Sequence, residues 1–280
     1  MTTWLLGEIS FSVVEADLSS PKVGLSTLYK LSESFISALK DVLNYNVEVI
    51  EVVDDGAHSL NKQRVSKLLE IAKCYDVSFS VHAPFADINI ASPSPILLRA
   101  MVKRLLKSLK YAAALGSRVW VLHPGVETGI SSFYPEKSWI KNRETIRLLW
   151  RTIGDYGVTL AIENLPEPYP FIMKNVEHFK RFYEEVDVDV GLALDIGHAN
   201  ISKQVDLFIR TFRGRIVHIH AHDNFGKVDE HLGIGYGSVN WEMTIRLLKE
   251  INYSNFIIVE SISHVRESLT NLSKLIHLEM

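Results

Sequence analysis

Hydrophobic and polar positions follow two periods along this chain, and the two periods take turns. Short runs rich in Val, Ile and Leu read as strands. They are WLLGEISFSVV near the start, VEVIEVV at 47–53, then VSFSVHAPF, RVWVLHPG, VTLAIENL, DVGLALDIGHAN, IVHIHAHDN and NFIIVESIS. Between them apolar residues recur at i, i+3 and i+4, the spacing of a helix with one buried face. The clearest case runs through Leu98, Met101, Val102, Leu105, Leu106, Leu109 and Ala113. LSESFISALKDVL, NKQRVSKLLEIAK, KNRETIRLLWRTI, VEHFKRFYEEV, QVDLFIRTF, WEMTIRLLKEI and RESLTNLSKLI share the pattern. Punctuation agrees: Pro93 and Pro95 open the third helix, Gly116 ends it, and Asn175 and Asn240 suit N-caps.

Eight strands and eight helices in strict alternation predict an α/β fold, a (β/α)8 TIM barrel forming a single domain over residues 1–280. An open doubly wound sheet is the rival. When such a sheet binds a dinucleotide it carries a Gly-rich turn after its first strand, and Gly7 alone does not supply one. In a barrel the C-terminal strand ends share one mouth, where active sites sit.

Composition narrows the setting. Hydrophobic residues at 47% suffice for a large core, and a net charge of -3 offers no overall attraction to nucleic acid or anionic membrane. Cys74 is the single cysteine, so no intramolecular disulfide forms; its helical run suggests a small core residue. The start MTTWLLGEIS does not read as a signal peptide, and no apolar stretch is long enough to span a membrane. A soluble, cytoplasmic protein is the expectation; the oligomeric state is open.

The chemistry lies at the strand ends. Six successive strands close on a possible metal ligand: His82, His123, Glu163, Asp195, His220 and Glu260. His198 follows Asp195, and Asp229 and His231 follow His220. Imidazoles and carboxylates hold Zn, Mn and similar ions. Parity turns Glu163 inward with Ala161, and Asp195 with Gly191 and Ala193, so small residues lie beneath acidic tips. Three carboxylates pushed together repel unless a cation or protons intervene. A divalent ion held by Glu163, Asp195, His220 and Glu260 resolves that conflict. His82, His123, His198, Asp229 and His231 are candidates for further metal or for substrate. His218 is expected one layer deeper, and His222 further out as a substrate contact or solvated rim. His58, His178, His264 and His277 are expected to be ordinary. Phe85, with Tyr169, Phe171, Phe225 and Tyr236, is a candidate to stack on a sugar or a base, with packing as the alternative for most of them. GIGYGSVNW at 233–241 lacks the Lys and spacing of a phosphate loop and reads as a turn leading to Asn240.

The motifs VHAPF, LHPG, IENL, LDIGHAN, HIHAHDN, DEHLGIGYGSVNW and VESIS resemble the xylose isomerase-like barrel superfamily over essentially the whole chain. It contains sugar isomerases and epimerases as well as endonuclease IV (AP endonuclease family 2). In the epimerase branch the resemblance implies one divalent ion (Mn, Zn or Co) on Glu163, Asp195, His220 and Glu260. The two glutamates there exchange protons with the substrate carbon through a metal-stabilised enediolate. A hydride shift is the other route known for metal sugar isomerases. The endonuclease IV pattern implies up to three zinc ions: on His82, His123 and Glu163; on the quartet; and on His198, Asp229 and His231. The strand-end loops argue against DNA. Lys22, Lys137, Lys174, Lys203 and Lys227 are scattered singly among Asp54, Asp55, Asp87, Glu127, Glu136 and Glu167. The expected partner is a small sugar or sugar phosphate, with an abasic-site phosphodiesterase as the alternative.

Overall fold

The computed structural model describes residues 20–154 and 156–278. Eight parallel strands close in chain order: β1 (Lys22–Ser26), β2 (Val49–Val53), β3 (Ser78–His82), β4 (Val119–Leu122), β5 (Thr159–Glu163), β6 (Gly191–Asp195), β7 (Ile216–Ala221) and β8 (Phe256–Val259), which pairs back to β1. The outer ring holds α1 (Phe35–Leu43), α2 (Lys62–Tyr75), α3 (Pro95–Leu115), α4 (Pro135–Ile153), α5 (Val176–Glu185), α6 (Ile196–Ile201), α7 (Val205–Thr211), α8 (Trp241–Glu250) and α9 (Val265–His277). The fold is therefore the expected (β/α)8 barrel.

Local chemistry sets the element ends. The side chains of Ser94, Asn175 and Asn240 accept hydrogen bonds from the third helical N–H of α3, α5 and α8. Gly116 ends α3 in the left-handed region at φ 70°. The large core lies between strands and helices, and Trp120 within it donates to Ser108. Inside the barrel the lower positions are apolar: Val119, Val121, Ala161 and Ala193 in one cluster, Val49, Phe256 and Ile258 in another. Crowding there accounts for Gly24, where a Cβ would sit 2.5 Å from Ile258 Cδ1 and 2.7 Å from Val49 O.

Three expectations need correction. The first barrel strand is KVGLS at Lys22–Ser26; the run WLLGEISFSVV lies outside the described residues. With Lys, Gly and Ser at three of five positions, β1 carries little of the apolar signal that marks a strand. Strict one-helix alternation fails after β6, where α6 precedes α7, because the side chain of Asp195 caps α6 by accepting from His198 N at 2.7 Å. Cys74 is exposed, not core. The buried face of α2 is Val65, Leu68 and Ile71, and each three-residue step turns back by about 60° at 3.6 residues per turn, which carries position 74 off that face.

Gly24→Ala is expected to lower stability by about 1–3 kcal/mol, since the interior must shift to admit one methyl. Urea unfolding measures this, and an unchanged midpoint would mean that the interior yields freely at that point.

Candidate metal centre

The strand register brings the sequence-spaced ligands to one level. His220 lies beside Asp195 across the β6–β7 pair, and Ile258, two residues before Glu260, pairs with His220. The register slips at Leu192/Ala193, and there Val217 packs on the lower interior cluster while its neighbour His218 also faces the interior. From there, strand alternation keeps His218 and His220 facing the interior, both against Glu51.

The expected quartet converges on one atom. His220 Nδ1 lies 3.3 Å from Glu163 Oε1, 3.5 Å from Glu260 Oε2 and 3.9 Å from Asp195 Oδ2. All four residues are buried. His220 Nδ1 and Glu260 Oε1 have no hydrogen-bond partner, although buried polar atoms normally find one. Two further groups flank the quartet. His82 Nε2 and His123 Nε2 lie 3.3 and 3.2 Å from Glu163 Oε2. His198 Nε2 and His231 Nε2 each lie 3.2 Å from Asp229 Oδ2. All nine residues singled out at the strand ends are thus assembled around one mouth.

The outer histidines share an orientation. Nδ1 of His82, His198 and His231 donates to the carbonyl of Ala83, Asn164 and Glu260 at 2.8, 2.8 and 3.0 Å. A carbonyl only accepts, so the partner assigns a proton to Nδ1 and leaves Nε2, which faces a carboxylate, as the nitrogen that can give up its proton and offer a lone pair to an ion. Backbone-oriented imidazoles of this kind are a recurring support for metal ligands. Together with the orphaned buried atoms and the carboxylate cluster, this donor set fits a divalent cation.

Electrostatics point the same way. Burial pushes Glu260 up to about 7, reinforced by the charges of Glu51 and Glu163, with His220 opposing. Burial would raise Glu163 too, but His220 and His123 hold it well below the carboxylate range. His198 and His231 rise to about 10 and about 9, because Asp195 and Asp229 overcome the burial that disfavours their charge. Without an ion, imidazolium groups carry the positive charge that the carboxylates demand.

The remaining sequence-singled residues divide. Phe85, Tyr169 and Phe171 line a cavity of about 370 Å3 above the quartet, together with His82, His123, Glu163, His198, Asp229, His231 and Glu260. Phe225 and Tyr236 do not line it; Tyr236 stacks on His264 at 4.0 Å. His222 is a correction. It is not a solvated rim or cavity residue but fully buried, 3.1 Å from the Asp195 carboxylate and stacked on His231 at 3.9 Å. Gly197 makes room for it, since a Cβ there would sit 2.0 Å from the His222 ring. A larger groove of about 730 Å3 lies outside the barrel between α3 and α4, remote from all nine residues.

Sequence reasoning missed several supports. Asn164 clasps the Asp195 backbone, donating to its carbonyl at 3.0 Å and accepting from its N–H at 2.8 Å. Asp55 accepts from Phe85 N and Ala86 N and so holds the loop that carries Phe85. Asp223 accepts from Gly235 N, Val239 N and Trp241 Nε1, which makes the Gly-rich loop a pinned strap rather than a loose turn. Asp54, one of the acids weighed against DNA, is buried on Arg104 at 2.8 Å. The one available signal was position: Asn164 and Asp223 each lie next to a strand-end ligand motif.

The family model for xylose isomerase-like TIM barrels matches residues 39–276. The chain belongs to this family. An uncharacterized protein of Methanocaldococcus jannaschii is 32% identical over 252 residues, covering 89% of this chain and 86% of that protein. Among solved structures of the family fold, a D-tagatose 3-epimerase-like protein superposes with a TM-score of 0.84 at 30% identity, covering 91% of this chain and 98% of the other. A probable endonuclease 4 of Mycoplasma pneumoniae is 19% identical over 245 residues, covering 79% of this chain and 84% of that protein.

Mn2+ or Zn2+ added to metal-free protein is expected to raise its unfolding midpoint, by about 2.7 kcal/mol of stability at 100 times the Kd. Asp195→Asn keeps a good N-cap for α6 and is expected to lose most of that gain. A full gain in the variant would remove Asp195 from the ligand set.

Proposed function

We propose that this protein is a divalent-metal-dependent epimerase or isomerase of a small, uncharged sugar. One observation carries the reading. Two glutamates from β5 and from the end of β8 approach the same imidazole nitrogen, at 3.3 and 3.5 Å, on the floor of a monosaccharide-sized cavity. The likeness to a D-tagatose 3-epimerase-like protein supports the same class.

When bound on Glu163, Asp195, His220 and Glu260, a divalent ion supplies Lewis-acid polarisation of a carbonyl and its neighbouring hydroxyl. Glu163 or Glu260 removes the proton from the carbon that carries that hydroxyl. The opposite glutamate, protonated, delivers its own proton to the other face for epimerisation, and the enediolate is the species between. His198 and His231, oriented by backbone carbonyls, present Nε2 toward the cavity side. Phe85, Tyr169 and Phe171 exclude water and offer apolar surface to a sugar face.

The lining also argues about charge. None of the residues lining the cavity is Lys or Arg. The nearest lysine in the loop after β5, Lys174, is committed to Glu167 at 2.7 Å and to Tyr169 O at 3.2 Å. A phosphate dianion would enter a carboxylate-rich site with no lysine or arginine to receive it, so an unphosphorylated sugar fits better than a sugar phosphate.

A second reading, a zinc phosphodiesterase acting at abasic sites in DNA, is favoured by one observation: the His82–His123–Glu163 and His198–Asp229–His231 groups are assembled beside the quartet. The same lack of Lys and Arg in the cavity lining disfavours it.

The discriminating measurement is metal per chain by elemental analysis, with solvent-deuterium exchange into a panel of ketoses. One ion per chain and exchange at the carbon beside the carbonyl are expected. Glu260→Gln is expected to lower exchange by about 10²–10⁴-fold, the usual worth of one acid/base group. Three tightly held zinc ions together with incision of an abasic duplex would overturn the sugar reading.

A further inference from the structure

At the centre of β2 stands a charged residue that the strand-end pattern does not include. Glu51 is the one ionisable side chain in the sequence VIEVV, and it is fully buried in the barrel interior, one layer beneath the quartet. A bare carboxylate at such a depth costs several kcal/mol unless donors reach it. Lys and Arg supply none of those donors. Glu51 Oε2 accepts from Ser80 Oγ at 2.9 Å, from the register partner on β3, and lies 2.8 Å from His218 Nε2. Its other oxygen, Oε1, lies 3.0 Å from His220 Nε2, a close charge contact that is off-line for an ideal hydrogen bond.

The two nitrogens of His220 therefore face opposite ways. Nε2 points down to Glu51, and Nδ1 points up to Glu163, Asp195 and Glu260. An ionised carboxylate only accepts, so it selects the imidazole form that carries its proton on Nε2. Nδ1 is then the lone-pair nitrogen, aimed at the three carboxylates. His82, His198 and His231 present Nε2 and are set by backbone carbonyls, whereas His220 is reversed.

We propose that Glu51 is a positioning residue that makes Nδ1 of His220 the metal-binding nitrogen, through a buried Glu51–His220 contact braced by Ser80 and His218. The inference rests on the metal reading of the quartet. It names a residue on a different strand, one layer down, that touches neither substrate nor ion. Removing an outer partner of a ligating imidazole commonly weakens metal binding by about 10–100-fold.

Two measurements test this with Zn2+ alone as the probe. Calorimetric titration of Glu51→Gln is expected to give an affinity about 10–100-fold weaker than that of the unaltered protein, with cooperative unfolding of the metal-free variant retained. An unchanged affinity would reduce Glu51 to a core polar group serving His218 and overturn the proposal. The second measurement needs no variant and stands even if Glu51→Gln does not fold. Nitrogen-15 chemical shifts of His220 are expected to show a proton on Nε2 in both metal-free and zinc-loaded protein, with zinc on Nδ1. An unprotonated Nε2 in either state would overturn the assignment. If the unaltered protein took up no ion at all, the metal reading would fall by itself, while the Nε2 proton of the metal-free protein would still decide the role of Glu51.

Discussion

Three buried carboxylates at one barrel mouth impose the constraint from which the rest of the structure follows. Glu163, Asp195 and Glu260 all approach His220 Nδ1 within 3.9 Å, in a place nearly closed to water. Like charges at such separations are tolerated only when positive charge is shared among them. The surrounding chemistry is arranged to supply it. His82, His123, His198, His220 and His222 crowd the carboxylates, and no Lys or Arg lines the cavity. Imidazoles can carry a proton or yield a lone pair, so one donor set serves with and without a cation. A lysine or arginine in their place would neutralise the site permanently and leave nothing for an ion to do.

The barrel makes that concentration of charge affordable. Parallel strands of matched tilt end at a common level, so residues far apart in sequence meet without any loop having to fold back. Below them the interior is filled by Val119, Val121, Ala161, Ala193, Val49, Phe256 and Ile258, which support the polar layers and exclude water from beneath. Between the apolar floor and the mouth lies the Glu51–Ser80–His218 layer, held together through Glu51 Oε2. Asp195 links these levels to the helical ring. Its carboxylate faces His220 and His222, its backbone is clasped by Asn164, and its side chain caps α6. The short helix after β6 is thus tied to the same residue that would bind an ion.

Loops finish the site by anchoring, not by bulk. Asp55 holds the Phe85 turn, Arg104 holds Asp54 under it, and Asp223 ties the strap 233–241 through three donors. These acids look like a solvated negative rim when counted along the chain. In the fold each has a specific backbone or guanidinium partner, so their charge is largely spent within the loops. The cavity they frame is walled by aromatic and aliphatic side chains, with its polar groups gathered at the floor, as suits a ligand with a chelating end and a less polar face.

The alternation of periods in the sequence determined the barrel, and the polar residues closing six strands determined the candidate quartet and its five companions. Both were legible because they depend on local repeats: side chains two apart share a face of a strand, and strand ends share a mouth. What depends on neighbours across the barrel was decided only by tertiary structure. His222 looked exposed by its distance past the strand, yet Gly197 leaves a space that draws it down onto Asp195. Glu51 is one polar residue in an apolar strand, and only the tertiary contacts set it against His220. The first strand, KVGLS, is too weakly apolar to be seen alone and is specified by the need to close the sheet between β2 and β8. Periodicity records which face a residue occupies; which partner waits on that face is set by contacts across many residues of chain.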